Sequence, residues 1–157
     1  MGDELEVRRA GPEDAGALGR VAFAAKGHWG YPGRWMELWR PGLEVSPAFV
    51  RDNEVYVAVY GEEPVGFYAL LGGDAGCTWS TRRCRRLGSG RASVGVFEHA
   101  MRRAHELGAR TVTIQSDPNA EGFYQKMGAR RAGENVYELE DKERVLPLMV
   151  VELANDG

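Results

Sequence analysis

Residues 54–71 constrain this chain more than any other stretch. EVYVAVY (54–60) and PVGFYALL (64–71) are two apolar, β-rich runs separated by Gly-Glu-Glu. That spacing predicts an antiparallel hairpin. A different pattern follows. Val94, Phe97, Met101, Ala104 and Leu107 recur at steps of three and four, which predicts an amphipathic helix, and Gly108 stops it. RTVTIQS (110–116) then reads as a strongly β-branched strand. A hairpin leading into a strand-helix-strand unit implies a mixed sheet covered by helices, and hence the α/β class.

The flanking segments fit that frame. LEVRRA (5–10) alternates as a short strand, and GPED breaks it, with Pro12 suited to a first helical turn. Glu13 and Asp14 complement the helix dipole there, and residues 13–26 are loosely helical. GHWGYPGRW (27–35) interrupts, and RWMELWR is a second short helix. SPAFVRD (46–52) is expected to make one helical turn under a Ser46 cap. CTWST (77–81) is a weak strand. DPNAEGFYQKM (117–127) is a short helix capped by Asp117 or Asn119 and ended by Gly128. RAGENVYELE and RVLPLMVVEL are two closing strands.

The 157 residues fit one domain, 1–157, and 43% hydrophobic with 27% charged residues is a globular composition. A net charge of −3 gives no whole-molecule attraction to nucleic acid or to an anionic membrane. The basic character is local: Arg82, Arg83, Arg85, Arg86 and Arg91 fall close together, which suits a small anionic ligand. No apolar run reaches the length of about 18 that a membrane span needs. The start MGDELEVRRAG lacks a signal peptide's apolar core, so a cytoplasmic location is expected. Cys77 and Cys84 are too few for a disulfide framework. His28, His99 and His105 show no ligand spacing, so no metal is expected. His99 and His105 fall on the polar face of the long helix and should be solvated.

Three phosphate-binding patterns compete for CRRLGSGRASVGVF (84–97). The P-loop fails because no Lys-Ser or Lys-Thr is present. The dinucleotide fingerprint is weak, since Ser93 stands where its third glycine belongs. Arg/Gln-x-x-Gly-x-Gly/Ala is filled completely by Arg85, Arg86, Leu87, Gly88, Ser89 and Gly90. Glycines let the backbone approach a phosphate without a Cβ in the way. Successive N–H groups of the turn and of the helix start then point at the anion. Taken alone, the pattern is equally a glycine-rich helix start beside a solvated arginine run.

The order of elements, with this turn and the later SDPNAEGFYQKMGARR, resembles the GNAT superfamily of acyl-CoA-dependent N-acyltransferases. The resemblance covers nearly the whole chain and is strongest over 85–131. It implies a mixed, mostly antiparallel twisted sheet of about seven strands flanked by about four helices. It also implies acetyl-CoA as cosubstrate, with Arg85, Arg86, Leu87, Gly88, Ser89, Gly90, Arg91 and Ala92 holding the pyrophosphate. Asn119 and Phe123 become coenzyme contacts, and Tyr124 the acid that protonates the leaving thiolate. Lys126 either approaches the coenzyme's phosphates or is solvated. The acceptor pocket of a small amine falls at His28, Trp29 and Tyr31, between the first two helices, where the alternative is an aromatic loop packed on the core. A homodimer is left open.

One stretch departs from the family pattern. The strand before the turn reads AGCTWSTRRC, with Trp79 its only large apolar residue and no acid after Asp74. That puts the pantetheine-facing strand, and a glutamate base on it, in question. Nucleophilic catalysis by Cys77 or Cys84 lacks a positioned histidine. Two rivals to the enzyme follow: an acyl-CoA-binding regulator or inactive relative, and a protein-binding module that keeps the fold without ligand.

Overall fold

A computed structural model describes residues 5–27, 30–72, 77–82, 91–115 and 121–153. The chain divides into two compact units, residues 1–70 with 81–99 and residues 71–80 with 100–157.

In the first unit, β1 (Leu5–Arg9), β2 (Glu54–Tyr60) and β3 (Glu63–Gly72) are antiparallel neighbours. The predicted hairpin closes over only two residues, Gly61 and Glu62, with Gly61 at φ +66°. A bulge at Ala58/Val59 shifts its register, so Tyr56 lies opposite Tyr68. Val55, Val57, Phe67 and Tyr68 are buried, and Val65–Leu70 carries no exposed residue. The run is continuously apolar because both of its faces are covered.

After β1 the chain turns sharply through Gly11 and a 3-10 turn (Pro12–Asp14) into α1 (Ala15–Gly27). The Asp14 carboxylate accepts the Gly11 amide at 2.8 Å and both Arg8 guanidinium nitrogens, at 3.0 and 3.1 Å. The hydrogen bond from Arg8 holds the Asp14 carboxyl below its ordinary range, and the same bond raises Arg8. Next come α2 (Gly33–Leu43), with Pro41 in its last turn, and α3 (Pro47–Asp52). Ser46 Oγ accepts the Phe49 amide at 3.0 Å and caps α3.

In the second unit the strand order is β4 (Cys77–Arg82), β5 (Thr111–Gln115), β7 (Lys142–Glu152), β6 (Arg130–Leu139). β4 and β5 are parallel, with Cys77 opposite Val112 and Trp79 opposite Ile114. The β5–β7 and β7–β6 pairs are antiparallel. Val112, Ile114 and Met149 are fully buried and form the centre of this unit's core. The β6–β7 turn places both Glu140 and Asp141 at positive φ, the geometry that matches strand twist in a two-residue hairpin.

The mixed, mostly antiparallel α/β class holds. The helix count does not: the described residues contain five α-helices rather than about four, because SPAFVRD winds into a six-residue helix. The fourth, α4 (Arg91–Glu106), also turns a different face inward. Val96, Phe97, Ala100 and Ala104 are buried, whereas Val94 and Met101 are half-buried and Leu107 is exposed. Gly108, at φ +88°, ends it, and Ala109 N–H donates to the Ala104 carbonyl at 3.0 Å.

Candidate active site

The expected site residues divide between described and undescribed positions. Arg85, Arg86, Leu87, Gly88, Ser89, Gly90, Asn119, His28 and Trp29 lie outside the described residues. Arg91 and Ala92 are the first two described residues of α4.

Tyr124 sits on α5 (Glu121–Lys126) in the second unit. Its side chain is buried and meets the half-buried Phe123 ring edge-on, with centroids 5.3 Å apart at 69°. Its carbonyl accepts the Met127 and Ala129 amides at 3.1 and 3.0 Å. Gly128, at φ +99°, makes that closure accessible. At the other end of α5, Glu121 pairs with Arg131 at 3.4 Å, and Arg131 also holds Glu134. Tyr124 thus stands on a short helix held at both ends. Lys126 is exposed.

Tyr31 belongs to a larger aromatic group in the first unit that was not anticipated. Its ring centroid lies 6.1 Å from Trp35 and 5.0 Å from Trp39, and the two indoles are 5.8 Å apart. Lys26 Nζ stands 5.0 Å from the Tyr31 centroid and 4.5 Å from the Trp39 centroid. The signal was present in the sequence: Trp35 and Trp39 share one face of α2, and Tyr31 stands four residues before Trp35. Two grooves flank α1. One, of about 560 Å³, is lined by Ala17, Arg20, Val21, Ala24 and Pro64; the other, of about 430 Å³, by Gly16, Gly19, Phe23 and Arg40. Tyr31 lines neither.

His99 requires a correction. It is half-buried rather than solvated, and its Nδ1 is 2.6 Å from the Tyr68 hydroxyl. Its ring is 5.1 Å from that of Tyr56, which stacks on Tyr68 at 5.3 Å and 15°. His105 is exposed, as expected. Among the described residues no group of three or more His, Cys, Asp or Glu is placed to hold a metal ion, and no helix is long and apolar enough to cross a membrane.

No family model matches the chain, and neither does any curated protein. Solved structures do match. The GCN5-related N-acetyltransferase of Rhodopseudomonas palustris aligns with a TM-score of 0.77 at 19% identity, covering 94% of this chain and 95% of that one. PaiA N-acetyltransferase of Thermoplasma acidophilum, solved with coenzyme A, gives 0.76 at 16% identity, covering 95% and 99%. YncA of Salmonella typhimurium, solved with its cofactor acetyl-CoA, gives 0.67 at 10% identity, covering 96% and 94%. The chain has the fold of the GNAT N-acetyltransferases.

Proposed function

We propose, from this fold, that residues 1–157 act as one domain transferring an acetyl group from acetyl-CoA to the amine of a small acceptor. The observation that carries the reading is the Arg-x-x-Gly-x-Gly sequence of residues 85–90 standing ahead of α4 in a chain with the GNAT fold. The turn and the first amides of α4 would hold the pyrophosphate, with Arg85, Arg86 and Arg91 adding positive charge. Asn119 and Phe123 would contact the coenzyme, and Lys126, exposed on α5, would approach its phosphates. β4, despite its unusual sequence, forms a strand and pairs in register with β5, which keeps the fold at this strand for enzyme and regulator alike.

Acetyl-CoA supplies a thioester carbonyl open to attack by an amine. The amine must first be neutral. With a pKa near 10.4, only about 0.04% of a lysine-like amine is neutral at pH 7, an obstacle of roughly 4–5 kcal/mol. A base or water relay takes that proton. The new N–C bond forms, the C–S bond breaks with its electron pair on sulfur, and Tyr124 donates the proton that makes the thiol. The protein would work in the cytoplasm, with neither nucleic acid nor membrane as partner. A homodimer is compatible with this scheme.

The rival reading, a coenzyme-binding regulator, is favoured by the absence of an acid on β4 after Asp74. Calorimetry and turnover separate the two. Gly88→Asp and Gly90→Asp should each weaken acetyl-CoA binding at least tenfold, about 1.4 kcal/mol. Tyr124→Phe should lower kcat about 10²-fold while coenzyme affinity stays within a few-fold. Binding without turnover across an amine panel would establish the regulator instead.

A further inference from the structure

Tyr31, just before α2, and Trp35 and Trp39, on it, stand at four-residue steps on the side that meets Lys26, in the last turn of α1. Their planes are not parallel. Trp39 is near-perpendicular to Tyr31 at 88° and inclined to Trp35 at 62°, so the rings form walls rather than a stack. All three are half-buried and keep part of their surface in water. A ring face carries partial negative charge, and a cation within about 6 Å of its centroid is attracted to it. The Lys26 ammonium lies within that range of two of the three rings.

We propose that Tyr31, Trp35 and Trp39 form a binding face for an organic ammonium group, and that Lys26 is its built-in occupant, displaced when such a group arrives. The inference rests on the acetyl-transfer reading only in identifying the visitor as the acceptor. Chemistry then narrows the acceptor class. An aromatic cage favours the charged form of a nitrogen and so opposes its deprotonation. The nitrogen it holds is therefore not the one that attacks the thioester. The acceptor this face suits carries two nitrogens: one amine that is acetylated and a second, permanently or stably cationic group that is held.

The test begins without coenzyme, so that it is independent of acetyl transfer. Choline chloride and its neutral isostere 3,3-dimethylbutanol are titrated into the full chain while the indole N–H resonances are followed by NMR. Choline should shift the Trp35 and Trp39 resonances saturably, and the isostere should not. Lys26→Met, which keeps the aliphatic stem and removes the competitor, should tighten choline at least threefold. Trp39→Leu should abolish the response; should that variant not fold, the Lys26→Met comparison decides. Equal responses to the two probes, or unchanged or weaker choline binding in Lys26→Met, would overturn the proposal. In the transfer assay, Lys26→Met should lower KM for 3-aminopropyl-trimethylammonium and lower it less for propylamine, whose single nitrogen cannot be held on the face and attack at once. The reverse pattern would refute the assignment to the acceptor even with the cation face intact.

Discussion

Two aromatic groups in the first unit use the same kinds of side chain to different ends. Tyr31, just before α2, and Trp35 and Trp39, on it, remain partly in water, and an ammonium lies against the rings of Tyr31 and Trp39. Tyr56, Tyr68 and His99 come from two strands and a helix, and pack around the fully buried Tyr68, whose hydroxyl bonds to His99. The first group meets a lysine ammonium, the second a hydrogen bond between a buried tyrosine and a half-buried histidine. An aromatic cluster acts as a ligand surface when its faces stay accessible, and as a structural element when its faces are covered and its polar atom is tied.

The largest effect expected from this contrast is on stability. Tyr68→Ala empties a fully buried position and should cost about 3–5 kcal/mol in urea unfolding. Trp39→Ala removes a larger side chain that is only half-buried, and should cost about 1–1.5 kcal/mol. If Trp39→Ala proved the more damaging, the α2 rings would be core and the contrast would fail.

A subtler change isolates the polar atom. Tyr68→Phe keeps the ring stack on Tyr56 and deletes only the hydroxyl bonded to His99 at 2.6 Å. The expected cost is about 1–1.5 kcal/mol, a net hydrogen bond with its partner left part-buried. Unchanged stability in Tyr68→Phe would show that the buried cluster does not depend on its tied hydroxyl.

The contrast also explains what could be read in advance. The hairpin, the long helix, β5 and the helix carrying Tyr124 announce themselves through local period and glycine stops. The outer aromatic face is equally local, since spacing alone aligns 31, 35 and 39, although HWGY drew attention to the loop rather than to the helix behind it. The inner cluster was not legible. Carried unbroken from the Gly61–Glu62 turn, the register would set Tyr56 opposite Phe67; the bulge at Ala58/Val59 sets it opposite Tyr68. An apolar stripe through Val94 and Met101 puts His99 on the solvent side. The buried face instead runs through Val96, Phe97, Ala100 and Ala104, which brings His99 to the edge of the core. Register and helix rotation are decided by tertiary packing, and neither leaves a period in the sequence.

The smallest effect concerns the joint between the two groups. β1 pairs with β2 beside Tyr56, while Asp14 leads directly into the helix that carries Lys26. The Arg8–Asp14 pair ties one to the other. Because Arg8 lowers the carboxyl in the folded state, Asp14 contributes stability that is fully present above the unfolded value of about 3.9. That contribution is lost as pH falls below about 4 toward the depressed folded value, since the unfolded chain takes up its proton first. The Arg8 side chain is 42% exposed, so solvent screening limits the contribution to about 0.5–1 kcal/mol. Asp14→Asn keeps an oxygen for the Gly11 amide but cannot ionise. Unfolding free energies compared at pH 6 and pH 3 should therefore fall less in Asp14→Asn than in the wild type, by about that amount. An identical acid response in the two proteins would mean that the pair does not hold β1 to α1, and that the two aromatic groups are joined by packing alone.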